Sequence, residues 1–198
     1  LGGIGFSRAR MLSPTGHCHT FDESADGYVR SEGRRLVGRQ PLDAALADGD
    51  PIRAVIVGSG VNSDGKTNGI SMPNVAAQEL LLRRVYARAK VDPGTVDYVE
   101  AHGTGTNVGD PVECNALGAV IGAARPDGRP CLIGSGKTNI GHLESAAGVA
   151  GLLKVVLALQ HREIPATIGV ETPNPKIPLD ELNLSVVTKH TSLKRTGR

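Results

Sequence analysis

The apolar positions of this chain fall into three short runs and two long periodic ones. Ile52 to Gly60, rich in β-branched residues, predicts the clearest strand. Val96 to Ala101 and Pro130 to Gly134 read as two more strands, each bounded by turn residues. From Asn74, a side chain suited to capping, Ala77, Leu81, Val85 and Ala89 recur every four residues and predict a helix. Arg83, Arg84 and Arg88 are its solvated face. Leu143 to Leu159 is apolar nearly all round and predicts a helix buried in the core, beside one sheet holding the three strands. A short helix is expected over 42–47, stopped by Asp48-Gly-Asp-Pro51, and Phe21 to Gly33 reads as a structured loop entering a strand. One segment breaks the pattern. Arg34-Arg-Leu-Val-Gly-Arg-Gln-Pro41 stands where a buried strand is expected, yet it carries three arginines and a proline, so it is either an edge strand or damaged. The tail from Pro165, with Pro173, Pro175 and Pro178, predicts an extended surface connection.

Two polar stretches interrupt these elements and hold the candidate chemistry. In Val99 to Glu113, His102 stands where a strand stops, and Gly103, Gly105 and Gly109 follow. Asp110-Pro-Val-Glu113 then predicts a helix start, with an N-cap carboxylate, proline at the first helical position and glutamate at the third. An isolated histidine is more often a satisfied core residue. This one is held at the carboxyl end of a strand, where open α/β sheets place their chemistry. The second stretch is Gly134 to Gly148. His142 precedes the apolar helix, whose dipole disfavours imidazolium and favours a neutral, hydrogen-bonding ring. Glu144 is either a first-turn complement to that dipole or the orienting partner of a histidine. Gly136-Lys137-Thr138 imitates the end of a phosphate loop, but Cys131 stands where its first glycine belongs. A nucleotide-binding reading of Gly103-x-Gly105-x-x-x-Gly109 also misses its fingerprint, by one residue at Val108.

Composition narrows the class further. The chain has 198 residues, 39% of them hydrophobic, with 26 glycines, two Phe, three Tyr and no Trp, which fits an α/β domain packed with small residues. A net charge of +2 with mixed signs points to no nucleic-acid partner. Cys18, Cys114 and Cys131 have no zinc spacing, and the His17-Cys18-His19 run reads as a solvated loop, so no metal is expected. Free thiols and the lack of an apolar run of about 18 residues lead us to expect a cytoplasmic protein without a membrane span.

Several motifs, in order, carry a resemblance. Phe21-Asp…Ala25-Asp-Gly-Tyr-Val-Arg30, Glu100-Ala-His-Gly-Thr-Gly-Thr106, Gly109-Asp-Pro-Val-Glu113, Lys137-Thr-Asn-Ile-Gly-His142 and Thr172-Pro-Asn-Pro175 resemble the β-ketoacyl synthase (ketosynthase) domain of modular polyketide synthases. The resemblance implies a thiolase-like α/β fold (layered α-β-α-β-α), here incomplete. Residues 1–50 would close its N-terminal half, and 51–198 would form a C-terminal half lacking its last segment. It implies decarboxylative Claisen condensation of an acyl thioester with a malonyl-type extender. His102 and His142 would act on the malonyl thioester, with Lys137 and Glu144 ordering the network and Thr104, Thr106 and Asn139 supporting it. It implies no bound cofactor, substrates carried on the phosphopantetheine of an acyl carrier protein, and a homodimer. The family's nucleophilic cysteine is expected upstream of this chain, so the missing N-terminal half is an expected partner. Cys114 comes nearest to a helix start, but Glu113 and Asp110 beside it should raise its pKa. The alternative is a decayed, non-catalytic condensing domain kept for dimerisation or carrier docking.

Overall fold

The computed structural model describes residues 2–67, 69, 72–126 and 128–193. Its centre is a parallel sheet of β1 (Tyr98–Glu100), β2 (Cys131–Gly134) and, on the far side of β2, β4 (Leu184–Val186). Tyr98 lies beside Leu132, Glu100 beside Gly134, and Cys131 beside Leu184. Alternation along the strands divides the two faces. Ala101, Cys131 and Ile133 join Cys114, Leu117 and Ile121 in one buried cluster with Phe21, Ile177 and Leu184. Cys114 and Leu117 belong to α4 (Gly109–Val120), which packs against α3 (Val75–Ala89). Tyr98 and Glu100 face the other way, towards Lys154 of α6 (Ala147–His161). The result is a sheet with helices on both sides, an α/β domain as the sequence leads one to expect. The remaining elements are α1 (Gly2–Arg8), α2 (Leu42–Asp48), α5 (Lys137–Ile140) and an antiparallel pair, β3 (Glu163–Ile164) with β5 (Thr191–Ser192).

Local signals account for much of this. Asn74 caps α3, its side-chain oxygen accepting from the Ala77 amide at 3.3 Å. Gly49, at φ 71°, ends α2 in the left-handed conformation that costs glycine little. Ala77, Leu81, Val85 and Ala89 are half-buried and Arg83, Arg84 and Arg88 exposed, as the four-residue spacing predicts.

Three expectations need correction. First, 52–60 is not a strand. Among the described residues its backbone joins no ladder, and Ile52, Val55, Ile56 and Val57 are exposed. β-Branched residues favour extended backbone, but a ladder needs a neighbour to satisfy its amides and carbonyls. Here the segment runs along α3 instead, with Gly60 close to Leu81 and Val85. The 31–40 stretch is likewise irregular, with Leu36 98% exposed. Second, α6 is not a buried core helix. Of its residues only Ala158 is buried, while Leu152, Leu157 and Leu159 are exposed. The helix lies on one face of the sheet, so only one side of its all-round apolar surface is covered. Third, the tail is no surface connection. Asn174, Ile177 and Leu184 are buried, and the tail supplies β4. Asp22 draws it in, accepting from the amides of Glu171 (2.7 Å) and Thr172 (2.8 Å), while the Asn174 amide donates to the Phe21 carbonyl.

Candidate functional site

β1 and β2 end side by side at Glu100 and Gly134, and both histidines lie just beyond those carboxyl ends. The ring centroids of His102 and His142 are 5.4 Å apart and nearly perpendicular, although 40 positions separate them in the chain. Both border a cavity of about 780 Å3 whose walls include Met11, Tyr28, Leu81 and Leu82.

The backbone of His102 is held from two sides. Glu113 accepts from the amides of His102 at 2.6 Å and Gly103 at 2.8 Å, one on each carboxylate oxygen. Lys137 Nζ donates to the His102 carbonyl. Beyond it, the Gly103 carbonyl accepts from the hydroxyls of Thr20 and Ser135. Gly103 sits at φ 42°, and a Cβ there would lie 2.7 Å from Ser135 Cβ, so glycine is required. Asp110 is buried and accepts from the amides of Phe21 (2.9 Å) and Gly105 (3.1 Å). Sequence reasoning assigned Asp110 to an N-cap and Glu113 to a capping box. The structure instead begins α4 at Gly109 with no side-chain cap, and both carboxylates serve the glycine loop. A carboxylate near a helix start can accept from any nearby amide, and the loop folds back over this one.

His142 is placed by a bridge to the 28–31 segment: its amide donates to the Val29 carbonyl, and its carbonyl accepts from the Ser31 amide. The Glu144 amide donates to His142 Nδ1 at 2.9 Å, which puts the proton of the neutral ring on Nε2. The Glu144 carboxylate pairs with Arg30 Nε at 2.8 Å. Glu144 therefore orients the histidine through its backbone, while its carboxylate is paired with Arg30.

Electrostatics keep both rings neutral. His102 is exposed on one side, yet desolvation on the other, then the Lys137 charge and His142, lower its imidazole to about 4. His142 is also lowered, first by burial and then by Lys137, against the pull of Glu144. A 3-10 turn over Glu144–Ala146 runs straight into α6, so the amide facing His142 Nδ1 stands at the N-terminus of that helical stretch, where the dipole also favours the neutral ring. Burial lowers Lys137 as well, while Glu113 and Glu100 act in the opposite direction.

The supporting residues divide. Thr104 is buried, with its hydroxyl 3.1 Å from that of Thr106, and Thr106 accepts from the Gly109 amide. Both also border the histidine cavity. Asn139 is exposed, accepts from the Thr138 hydroxyl, and borders a second cavity of about 630 Å3 on the other side of His102. All three cysteines are buried free thiols. Cys18 is therefore no part of a solvated loop: it is 5% exposed, and its sulfur accepts from the Val29 amide. Burial pushes Cys131 up to about 11 and raises Cys114 further, with Glu113 and Asp110 adding to the Cys114 shift. Sequence reading passed over the Tyr98, Glu100 and Lys154 cluster. Its signal was Lys154, the one polar residue between Ala147 and Leu159 of α6. Among the described residues no group of His, Cys, Asp and Glu could hold a metal, and no helix is long and apolar enough to cross a membrane.

With this geometry in hand, comparison with known proteins identifies the family. Residues 53–171 match the model of the β-ketoacyl synthase C-terminal domain, and residues 1–37 match that of the N-terminal domain. A phenolphthiocerol/phthiocerol polyketide synthase of Mycobacterium tuberculosis is 53% identical over 193 residues, 98% of this chain and 10% of that protein. The polyketide synthase GfsA of Streptomyces halstedii is 55% identical over 175 residues, covering 88% of this chain and 2% of that protein. The chain thus spans a tenth or less of the length of these two relatives. The ketosynthase from module 6 of the bacillaene synthase of Bacillus subtilis 168 superposes with a TM-score of 0.91 at 40% identity, over 99% of this chain and 35% of that one. The chain belongs to the β-ketoacyl synthase family and has the thiolase-like fold of its ketosynthase relatives.

Proposed function

We propose that this chain carries the decarboxylation half of a polyketide ketosynthase site, acting with an acyl carrier protein and with a nucleophilic cysteine outside these residues. One observation carries the reading: two neutral imidazoles 5.4 Å apart, one with Nδ1 locked as an acceptor, share a cavity. A malonyl thioester oxygen between them accepts from His142 Nε2–H and from a neutral His102. The bond from the α-carbon to the carboxylate breaks, CO2 leaves, and the electron pair stays behind as an enolate on that oxygen. Fixed donors stabilise this developing charge without reorganisation. The enolate carbon then attacks an acyl thioester on the cysteine, forming the carbon–carbon bond and releasing the thiolate. Neutral donors suit this step, because an imidazolium between the oxygen and Lys137 would first have to be charged against that lysine.

The test is decarboxylation of a malonyl thioester by the full-length protein. His102→Ala and His142→Ala should each lower the rate by about 10²–10³-fold, the usual cost of an oxyanion donor; an unchanged rate in either would refute the assignment. The 198-residue chain alone should take no acyl adduct on cysteine, since its three thiols are buried. The exposed, arginine-bearing 34–41 stretch favours a second reading, a condensing domain that keeps the fold without the chemistry. Full-length protein that docks carrier protein but decarboxylates nothing would establish that reading.

A further inference from the structure

Behind the His102 loop lies a charged cluster that the proposed chemistry leaves unused. Lys154 Nζ and Glu100 Oε2 are 2.6 Å apart, with side chains 16% and 9% exposed. The Tyr98 hydroxyl donates to the same Glu100 oxygen at 2.6 Å, and Lys154 donates to the Tyr98 oxygen at 2.9 Å. The other oxygen, Oε1, accepts from the Gly136 amide at 2.6 Å. The surroundings leave room for this arrangement. A Cβ on Gly151 would lie 3.2 Å from Glu100 Cγ, and one on Gly136 would lie 3.3 Å from Glu100 Oε1 and 3.5 Å from Lys154 Cδ. A largely buried ion pair stabilises a fold little better than apolar residues of the same shape. Fixing a geometry is where such a pair has its best-attested use.

The geometry it fixes is one residue away. Gly136 immediately precedes Lys137, the first residue of α5, and Lys137 Nζ donates to the His102 carbonyl. Glu100 and His102 are themselves two positions apart at the end of β1. The turn carrying the lysine is therefore tied by a carboxylate to the strand carrying the histidine.

We propose that Glu100, paired with Lys154 and hydrogen-bonded by Tyr98, is a positioning residue that holds the Gly136–Lys137 turn so that Lys137 reaches the His102 carbonyl. The inference rests on the site reading above only for its effect on rate. Its structural core, the tie from Glu100 through Gly136 to Lys137, stands on the hydrogen bonds alone. The charged or titratable groups facing Lys137 are Glu113 and Asp110 from α4, Glu100 from β1 and Cys18 from the 17–19 loop. Those facing His102 are Lys137 and His142. Removal of Glu100 takes away both the amide acceptor and one of these charges.

Four variants of the full-length protein separate the two effects: Glu100→Ala, Glu100→Gln, Lys154→Met, and Glu100→Gln combined with Lys154→Met. A glutamine oxygen still accepts from the Gly136 amide, but its NH2 then faces the Lys154 and Tyr98 donors; methionine at 154 removes the charged one. The carbonyl carbon NMR shift of His102 reports the Lys137 contact without reference to turnover. Glu100→Ala should move that shift and lower kcat for malonyl decarboxylation by about tenfold or more with KM little changed, as expected when a transition-state contact is displaced. Glu100→Gln alone should do the same to a smaller degree, and the double variant should return both readouts to within about threefold of the parent or better. Failure of Glu100→Ala to fold leaves the double variant as the decisive sample. Should the His102 carbonyl shift stay unchanged in Glu100→Gln and Glu100→Ala, or should the double variant be worse than both singles, the proposal falls. A moved shift with decarboxylation unaffected, in protein where His102→Ala is also silent, overturns the site reading and leaves the positioning role intact.

Discussion

The 102–108 loop and the 51–61 segment are both irregular backbone, yet they behave in opposite ways. The first is polar and rich in glycine, and it is fixed at nearly every step. The amides of His102, Gly103 and Gly105 donate to the carboxylates of Glu113 and Asp110, and the carbonyls of His102 and Gly103 accept from Lys137, Thr20 and Ser135. The second is made of residues that favour strands, and it lies open. Order therefore follows the backbone's partners and not its propensity. A sequence of poor formers takes one defined path when acceptors meet its amides, and a sequence of good ones stays outside the sheet where no ladder forms.

The largest effect that would break this contrast is at Glu113. Glu113→Ala orphans two amides and removes the counter-charge that acts most strongly on Lys137, so the full-length protein should lose about 3–5 kcal/mol in denaturant unfolding. A loss below about 1 kcal/mol would mean that the loop is held by something other than these bonds.

Asp110 sharpens the comparison through pH. Burial, opposed by the Phe21 amide and reinforced by Glu113, raises its carboxyl to about 6 from 3.8. The folded chain thus binds this proton more tightly than the unfolded chain. Its contribution is full below the unfolded value and is lost as pH rises from about 4 to about 6. Unfolding measured across that window should show a fall, on the order of 2–3 kcal/mol, that is missing in Asp110→Asn. An identical slope in parent and variant would place the titration elsewhere.

Smaller effects mark the other side. Asn74→Ala removes the α3 cap and should cost about 1 kcal/mol. Val57, 67% exposed, should tolerate Val57→Ser in the 198-residue chain with a change under about 0.5 kcal/mol. A loss above about 2 kcal/mol there would show the segment to be paired and would erase the contrast.

What the sequence made legible follows the same division. Short-range signals were reliable: the Asn74 cap, the spacing from Ala77 to Ala89, and the β1 and β2 runs. The two histidines were recognisable because each ends a strand or loop beside glycine, and the structure brings their rings together. Long-range partners were not legible. The apolar surface of 147–161 states how much could be covered, not whether a second layer lies over it. Asp110 and Glu113 carry the signature of a helix start, and no local pattern reveals that their oxygens face a loop folded back on them. The proline spacing near residue 173 concealed a segment that Asp22 ties down from the far end of the chain.

That last tie has a consequence for the order in which the molecule assembles. Asp22 gathers amides 149 and 150 positions away, and Phe21, whose carbonyl meets the Asn174 amide, is the residue whose own amide anchors Asp110. Closing so long a loop is entropically late in folding, and contacts of this separation slow the search for the native state. On a ribosome the chain emerges from its first residue onwards. The floor beneath the histidine loop is therefore the last part of the site to set. Until residues 171–174 have emerged, His102 and its glycines stand on a foundation with one wall missing.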